Sequence, residues 1–240
     1  MADPQVFSYE RLFAKSAPEA RQRIVAPRGK YDFAVAYPDP TSLPLNELLD
    51  GLRGALEDEG DGLAIYPNPQ GYTPLRQYVA EKLSKERNIH ISADDIILGG
   101  GSGEVIYMIA EALLDPGDVV FTEDFVYSGT LVTLRRFRAD IRGIPCDNDG
   151  MLPDALENAI SGAVAEGKKP KLIYTIPMYQ NPQGWVMSLD RRRAMVRLSQ
   201  KYDVPILEDD CYVDLRYGGE PVDSIHSQDD TGRVMYVSSF

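Results

Sequence analysis

The sequence predicts an α/β protein with a mainly parallel sheet sandwiched by helices, and three observations carry this. Six short runs rich in Val, Ile and Leu lie at 95–99, 118–123, 140–146, 171–176, 204–208 and 234–238. Helix-like segments at 103–114, 128–138, 152–165 and 188–202 separate most of them. Apolar strands alternating with helices are the pattern of parallel strands covered on both faces. Polar residues with chemical potential gather just after these runs, where open parallel sheets place ligands.

Taken in chain order, residues 1–42 carry scattered prolines and little periodicity apart from a possible helix near 8–24. Segments 43–58 and 73–87 read as amphipathic helices joined by the turn-rich 65-IYPNPQGYTP-74. Run 95–99 leads into the cluster Gly99-Gly100-Gly101-Ser102-Gly103, which opens helix 103–114. Asp115-Pro116-Gly117-Asp118 stops that helix and turns into run 118–123. Pro153 suits the first turn of helix 152–165, and Ser188 is placed to cap helix 188–202. No internal repeat, low-complexity tract or flexible linker interrupts the chain. The expected organisation is an N-terminal arm, residues 1–45, feeding one large domain, residues 46–240.

Composition narrows the function. At 240 residues, 43% hydrophobic and 26% charged, the chain is an ordinary globule able to bury a sizeable core. A net charge of −12 repels polyphosphate backbones and argues against nucleic acid as a partner. The runs Arg135-Arg136-Phe137-Arg138 and Arg191-Arg192-Arg193 read as solvated helix faces. Two cysteines, Cys146 and Cys211, are too few for a disulfide scaffold and read as small buried residues. His90 and His226 lack a second ligand at metal spacing. With no apolar run of spanning length and no signal-peptide pattern at MADPQVFSYE, no membrane partner is expected and the cytoplasm is.

The strand ends carry the candidate chemistry. The glycine cluster fails the dinucleotide fingerprint, because the third glycine falls on Glu104 or Ile106, and it lacks the lysine of a nucleotide loop. A helix start with free N–H groups can still hold a single phosphate, or the cluster is a plain turn. Tyr127 offers a ring face or is an ordinary helix-start aromatic. In 177-PMYQNPQG-184 the turn could hold out the Asn181 amide. The acids of 208-EDDCY-212, at the end of an apolar strand, call for a metal, a protonated ring nitrogen, or open solvent. Ser238 and Ser239 reach the same edge.

The order Tyr66, Gly71, Leu75-Arg76, then LLDPGD (113–118), EDFVY (123–127), QNPQG (180–184), EDDCY (208–212) and YVSSF (236–240) resembles the class I/II aminotransferases. These are pyridoxal-phosphate (PLP) enzymes of fold type I. The likeness is nearest to the broad-specificity and 2-aminoadipate-type transaminases, and it runs from about residue 30 to the end. The resemblance implies amino transfer between an amino acid and a 2-oxo acid. It assigns the coenzyme phosphate to Gly101, Ser102 and Gly103, with a further contact from Ser239. It stacks Tyr127 on the ring, points Asn181 and Tyr212 at the phenolic oxygen, and pairs Asp209 with the pyridine nitrogen. Asp209 and Tyr212 are thereby the candidate catalytic residues. Tyr66 would reach the phosphate of a neighbouring subunit, implying a homodimer.

The sequence departs from that pattern at Ala36, where glycine is frequent near the substrate carboxylate, and at Phe125, where proline is usual. The family pattern continues S-F-S-K, and its lysine forms the Schiff base; this sequence stops at Phe240, so a fragment with an incomplete C-terminal part of the fold is expected. The chain alone is expected to give neither transamination nor borohydride-fixed PLP. Competing readings are a carbon–sulfur β-lyase, a ligand-sensing domain of a transcription regulator, which the shortness of residues 1–42 and the acidity of the whole chain oppose, and a non-catalytic binder of PLP or its amine adducts. Arg21, Arg23 and Arg28 could meet an acidic side chain or serve the surface.

Overall fold

The structure is a computed structural model that describes residues 9, 12–14, 17, 30, 31 and 37–240. Ala36, Arg21, Arg23, Arg28 and most of the segment 8–24 lie outside the described residues. The chain divides into two compact units, Met1–Tyr66 and Pro67–Phe240. In the first, α1 (Leu45–Glu59) forms where the amphipathic pattern places it. Its apolar stripe, Leu45, Leu48, Leu52 and Leu56, is exposed.

The second unit begins with α2 (Thr73–Arg87), which has proline in its first turn and ends where Asn88 turns left-handed at φ 53°. The expected strand at 95–99 does not form. A 3-10 turn (Ala93–Asp95), closed by a capping box from Ser92, occupies its start. The Leu98 N–H then bonds the Gln70 carbonyl at 2.9 Å instead of a sheet neighbour. Ile97 is exposed, so the run has only a partial burial face.

Thereafter helix and strand alternate. The elements are α3 (Ser102–Leu113), β1 (Val119–Glu123), α4 (Ser128–Arg136), β2 (Asp140–Ile144), β3 (Cys146–Asp147) and β4 (Gly150–Met151). Then come α5 (Pro153–Ala165), β5 (Pro170–Thr175), α6 (Leu189–Tyr202), β6 (Ile206–Asp209) and β7 (Val234–Val237). The expected run 140–146 breaks at Pro145, which has no N–H for the ladder; Cys146 instead begins a short antiparallel ribbon with Met151. Helix α4 stops short of 138 because Arg138 is left-handed, φ 56°. Ser188 sits at the start of α6 with extended backbone, but its side chain makes no capping bond. Pro153 does open α5. Among the described residues no helix is long and apolar enough to cross a membrane.

The main sheet has the order β2-β1-β5-β6-β7, with every neighbouring pair parallel. Alternate residues separate into two cores. Val119, Phe121, Ile173 and Ile206 pack with Leu156 and Ile160 of α5 and Met195 of α6. Val120, Leu172, Tyr174 and Leu207 pack with Ile106 and Ala110 of α3 and Leu134 of α4. Helices thus cover both faces, as expected of a parallel sheet.

Candidate active site

Strand parity decides what each acid of β6 does. Ile206 and Leu207 belong to opposite cores, so Glu208 faces the α5–α6 side and Asp209 the α3–α4 side. Glu208 is fully buried, accepts from the Ile225 and His226 N–H groups at 2.8 Å each, and lies 3.6 Å from Arg192 Nη1. Asp210 accepts from Arg87 Nη2 at 2.6 Å and from the Tyr236 hydroxyl at 2.8 Å. Both acids have a protein cation. Asp209, 5% exposed, has neutral donors: the Tyr174 hydroxyl at 2.6 Å and the Cys211 thiol at 2.8 Å. Burial pushes its pKa up, and those hydrogen bonds oppose the shift. The three acids therefore neither converge on a metal nor sit in solvent.

Asp209 lines a cavity of about 220 Å3 together with Ser102, Gly103, Tyr127, Cys211 and Tyr212. The glycine cluster and the acid of β6 thus share one cleft. Gly101 precedes α3 at φ 114°, a backbone region that favours glycine. It turns the chain so that the first turn of α3, with N–H groups that have no helical partner, opens at the cavity. Cys211 lines the cavity together with Ser102 and donates its thiol to Asp209. Burial and the adjacent Asp209 push that thiol up to about 12, so it is a neutral donor rather than a nucleophile.

Tyr127 stands at the cavity rim, 47% exposed, just before α4. Its ring lies over Gly129: a Cβ there would fall 2.4 Å from Tyr127 Cε1. The Asn181 amide donates to the Tyr212 hydroxyl at 3.0 Å. Its loop is firmly held. Gln180 Nε2 donates to the Phe125 carbonyl at 2.7 Å, and Arg192 donates to the carbonyls of Met187 and Pro177 at 3.0 Å each. The peptide bond between Asn181 and Pro182 is cis. Arg192 corrects the sequence reading of its run: it is fully buried, whereas Arg193 is exposed and Arg191 pairs with Asp147 at the surface. Both cysteines are half-buried rather than buried.

Of the residues singled out in the sequence, Ser102, Gly103, Tyr127, Asp209 and Tyr212 line the cavity. Gly101 adjoins it through Ser102, and Asn181 reaches it through Tyr212. Ser239 is exposed and outside the lining, and the neighbouring Ser238 hydroxyl donates to the Asp210 carbonyl at 3.3 Å. Tyr66, in the first unit, is 99% exposed. Sequence reading missed Gly129, Thr130, Tyr174, Gln180 and Cys211. Cys211 and Gln180 carried a signal, lying beside chosen residues within the motifs EDDCY and QNPQG.

The cavity tests well for a coenzyme with an anionic tail and a cationic ring. One end offers a helix N-terminus, the other a buried carboxylate whose donors among the described residues are all neutral. Known proteins agree. An aromatic-amino-acid aminotransferase from Thermococcus litoralis is 33% identical over 240 residues, covering 99% of this chain and 58% of the relative. A 2-aminoadipate transaminase from Thermus thermophilus is 26% identical over 88% of this chain and 51% of its own length. Among solved structures, a kynurenine aminotransferase from Pyrococcus horikoshii in complex with PMP superposes with a TM-score of 0.85 at 33% identity, covering 96% of this chain and 59% of that one. The chain therefore spans between half and three fifths of the length of these relatives. The model of the family "Aminotransferase class I and II" matches residues 36–240, and with that match the chain belongs to the class I and II aminotransferases.

Proposed function

We propose that the chain forms the coenzyme-binding part of a pyridoxal-phosphate-dependent aminotransferase, which moves an amino group between an amino acid and a 2-oxo acid. The observation that carries this is Asp209: of the three buried acids ending β6, it is the one without a cation among the described residues, and it faces the cavity at the start of α3. Bound PLP supplies a protonated, conjugated ring that draws electrons from the α-carbon of an amino acid. Asp209 holds the proton on the ring nitrogen by remaining ionised beside it. The N–H groups of Gly101, Ser102 and Gly103 bind the phosphate, and Ser239 adds a contact to it. Tyr127 covers one ring face and excludes water there. Asn181 and Tyr212, already hydrogen-bonded to each other, orient toward the phenolic oxygen.

The protein works as a cytoplasmic homodimer in amino-acid metabolism, with Tyr66 reaching the phosphate in the neighbouring subunit and neither nucleic acid nor membrane as partner. The exposed leucine stripe of α1 supports a subunit contact. The test is titration with pyridoxamine 5′-phosphate, which binds without a covalent link. Wild-type protein should bind it saturably, and Asp209→Asn should weaken binding by about two to three and a half orders of magnitude, the scale of removing one partner of a buried ion pair. Equal affinity for both would remove the basis of the reading. With full-length protein, an amino donor and a 2-oxo acid should yield a new amino acid; pyruvate and ammonia would instead mark elimination.

A further inference from the structure

Both oxygens of Asp209 are gripped by neutral donors, and one donor is itself oriented from behind. Tyr174 Oη donates to Oδ2 at 2.6 Å, and Cys211 Sγ donates to Oδ1 at 2.8 Å. Thr130 Oγ1 in turn donates to Tyr174 Oη at 3.0 Å. Tyr174, in β5, is fully buried, and Thr130, in α4, is 2% exposed. A phenol has one proton. With Thr130 donating to its oxygen, that proton is directed at Asp209. An ionised carboxylate accepts only, and it fits this run of donors; a protonated Oδ2 would need the run reversed.

The surroundings otherwise disfavour charge on Asp209. Among the described residues, the titratable groups around it are Tyr174 of β5, Glu123 at the end of β1, its neighbours Asp210, Cys211 and Tyr212, and Tyr127 ahead of α4, and none of these is a cation. Tyr174 stays a donor throughout, because burial and then the Asp209 charge push its own ionisation far up. Strand parity places the phenol: Tyr174 shares the α3–α4 core with Leu207, on the same side of the sheet as Asp209.

We propose that Tyr174 is a positioning residue for the reaction: its hydroxyl, turned by Thr130, keeps Asp209 ionised and aimed into the cavity. This rests on the reading of Asp209 as partner of the ring nitrogen. Two measurements separate the two claims. In ligand-free protein carrying 13C-labelled Asp carboxyls, Tyr174→Phe should raise the Asp209 titration midpoint by about one pH unit, the scale of one hydrogen bond to a charged group. Thr130→Val should raise it by less. In the second, pyridoxamine phosphate labelled with 15N at the ring should show a protonated nitrogen on the wild type. On Tyr174→Phe the affinity should fall about tenfold, and its acidic limb should move to higher pH. An unchanged Asp209 midpoint in both variants overturns the role of Tyr174. Absence of pyridoxamine phosphate binding by the wild type overturns the functional reading alone, since the carboxyl titration still decides the first claim.

Discussion

Replacing Arg192 by methionine should cost about 3–5 kcal/mol at pH 8, although its neighbour Arg193 should be replaceable at almost no cost. The side chain is fully buried and its guanidinium reaches four partners at once, among them the Met178 sulfur at 3.0 Å from Nη2. Nε donates to the Met187 carbonyl and Nη2 to the Pro177 carbonyl, each at 3.0 Å, while Nη1 lies 3.6 Å from Glu208. Methionine fills similar space but leaves two loop carbonyls short of a donor and Glu208 without a cation. Against a typical total stability of about 5–15 kcal/mol, that loss is large. In urea, where the slope is about 2 kcal/mol per molar, the midpoint should fall by about 2 M. The single tryptophan, Trp185, lies in the loop that Arg192 anchors, so its fluorescence reports the transition directly.

The penalty should also depend on pH. Burial, followed by the Asp210 charge, pushes Glu208 up to about 7. Below that value Glu208 is neutral and no longer needs the cation, so the difference between wild type and Arg192→Met should shrink from pH 8 to pH 6. A midpoint shift under about 0.3 M at pH 8, matching that of Arg193→Met, would show that Arg192 is solvated and that the reasoning from burial is wrong.

Two further outcomes follow from the same geometry. Glu123 is buried, accepts from Thr175 Oγ1 at 2.6 Å and Ile176 N–H at 2.8 Å, and is pushed by burial from 4.5 up to about 7. A carboxyl raised in this way contributes stability that is complete below its unfolded value and lost as pH rises through about 7. E123Q should therefore gain about 3 kcal/mol on the wild type between pH 4.5 and 8, read by urea unfolding; a difference independent of pH would refute this. Gly129→Ala should leave the melting temperature unchanged or slightly higher, since alanine favours helix, while weakening pyridoxamine phosphate binding about threefold to tenfold because the Tyr127 ring must move. Unchanged affinity by calorimetry would mean that the ring's present place is unimportant.

The amino-acid sequence by itself determined the alternation of strand and helix, because continuous apolar runs and 3.6-residue periodicity are local signals. It also determined which segments could carry a coenzyme. A glycine-rich helix start, a Pro- and Gly-bracketed Asn181 and a carboxylate run after a strand each admit an ordinary turn or loop, and it is their order along the chain, as a resemblance to the class I/II aminotransferases, that assigned them to a coenzyme. It failed at 95–99, where apolar residues look like a strand but the backbone bonds go to Gln70.

Tertiary structure alone decided which acid matters. Glu208, Asp209 and Asp210 are equivalent in sequence. Their fates diverge because β6 alternates its faces and because Arg192 and Arg87, distant along the chain, arrive on one of them. The same holds for Arg192, hidden between half-buried Arg191 and exposed Arg193, and for Tyr174, whose role depends on the β5–β6 register and on α4 bringing Thr130 over it. Spacing along a chain records local conformation; pairing of buried charges depends on contacts between elements far apart in sequence, and only the folded arrangement supplies them.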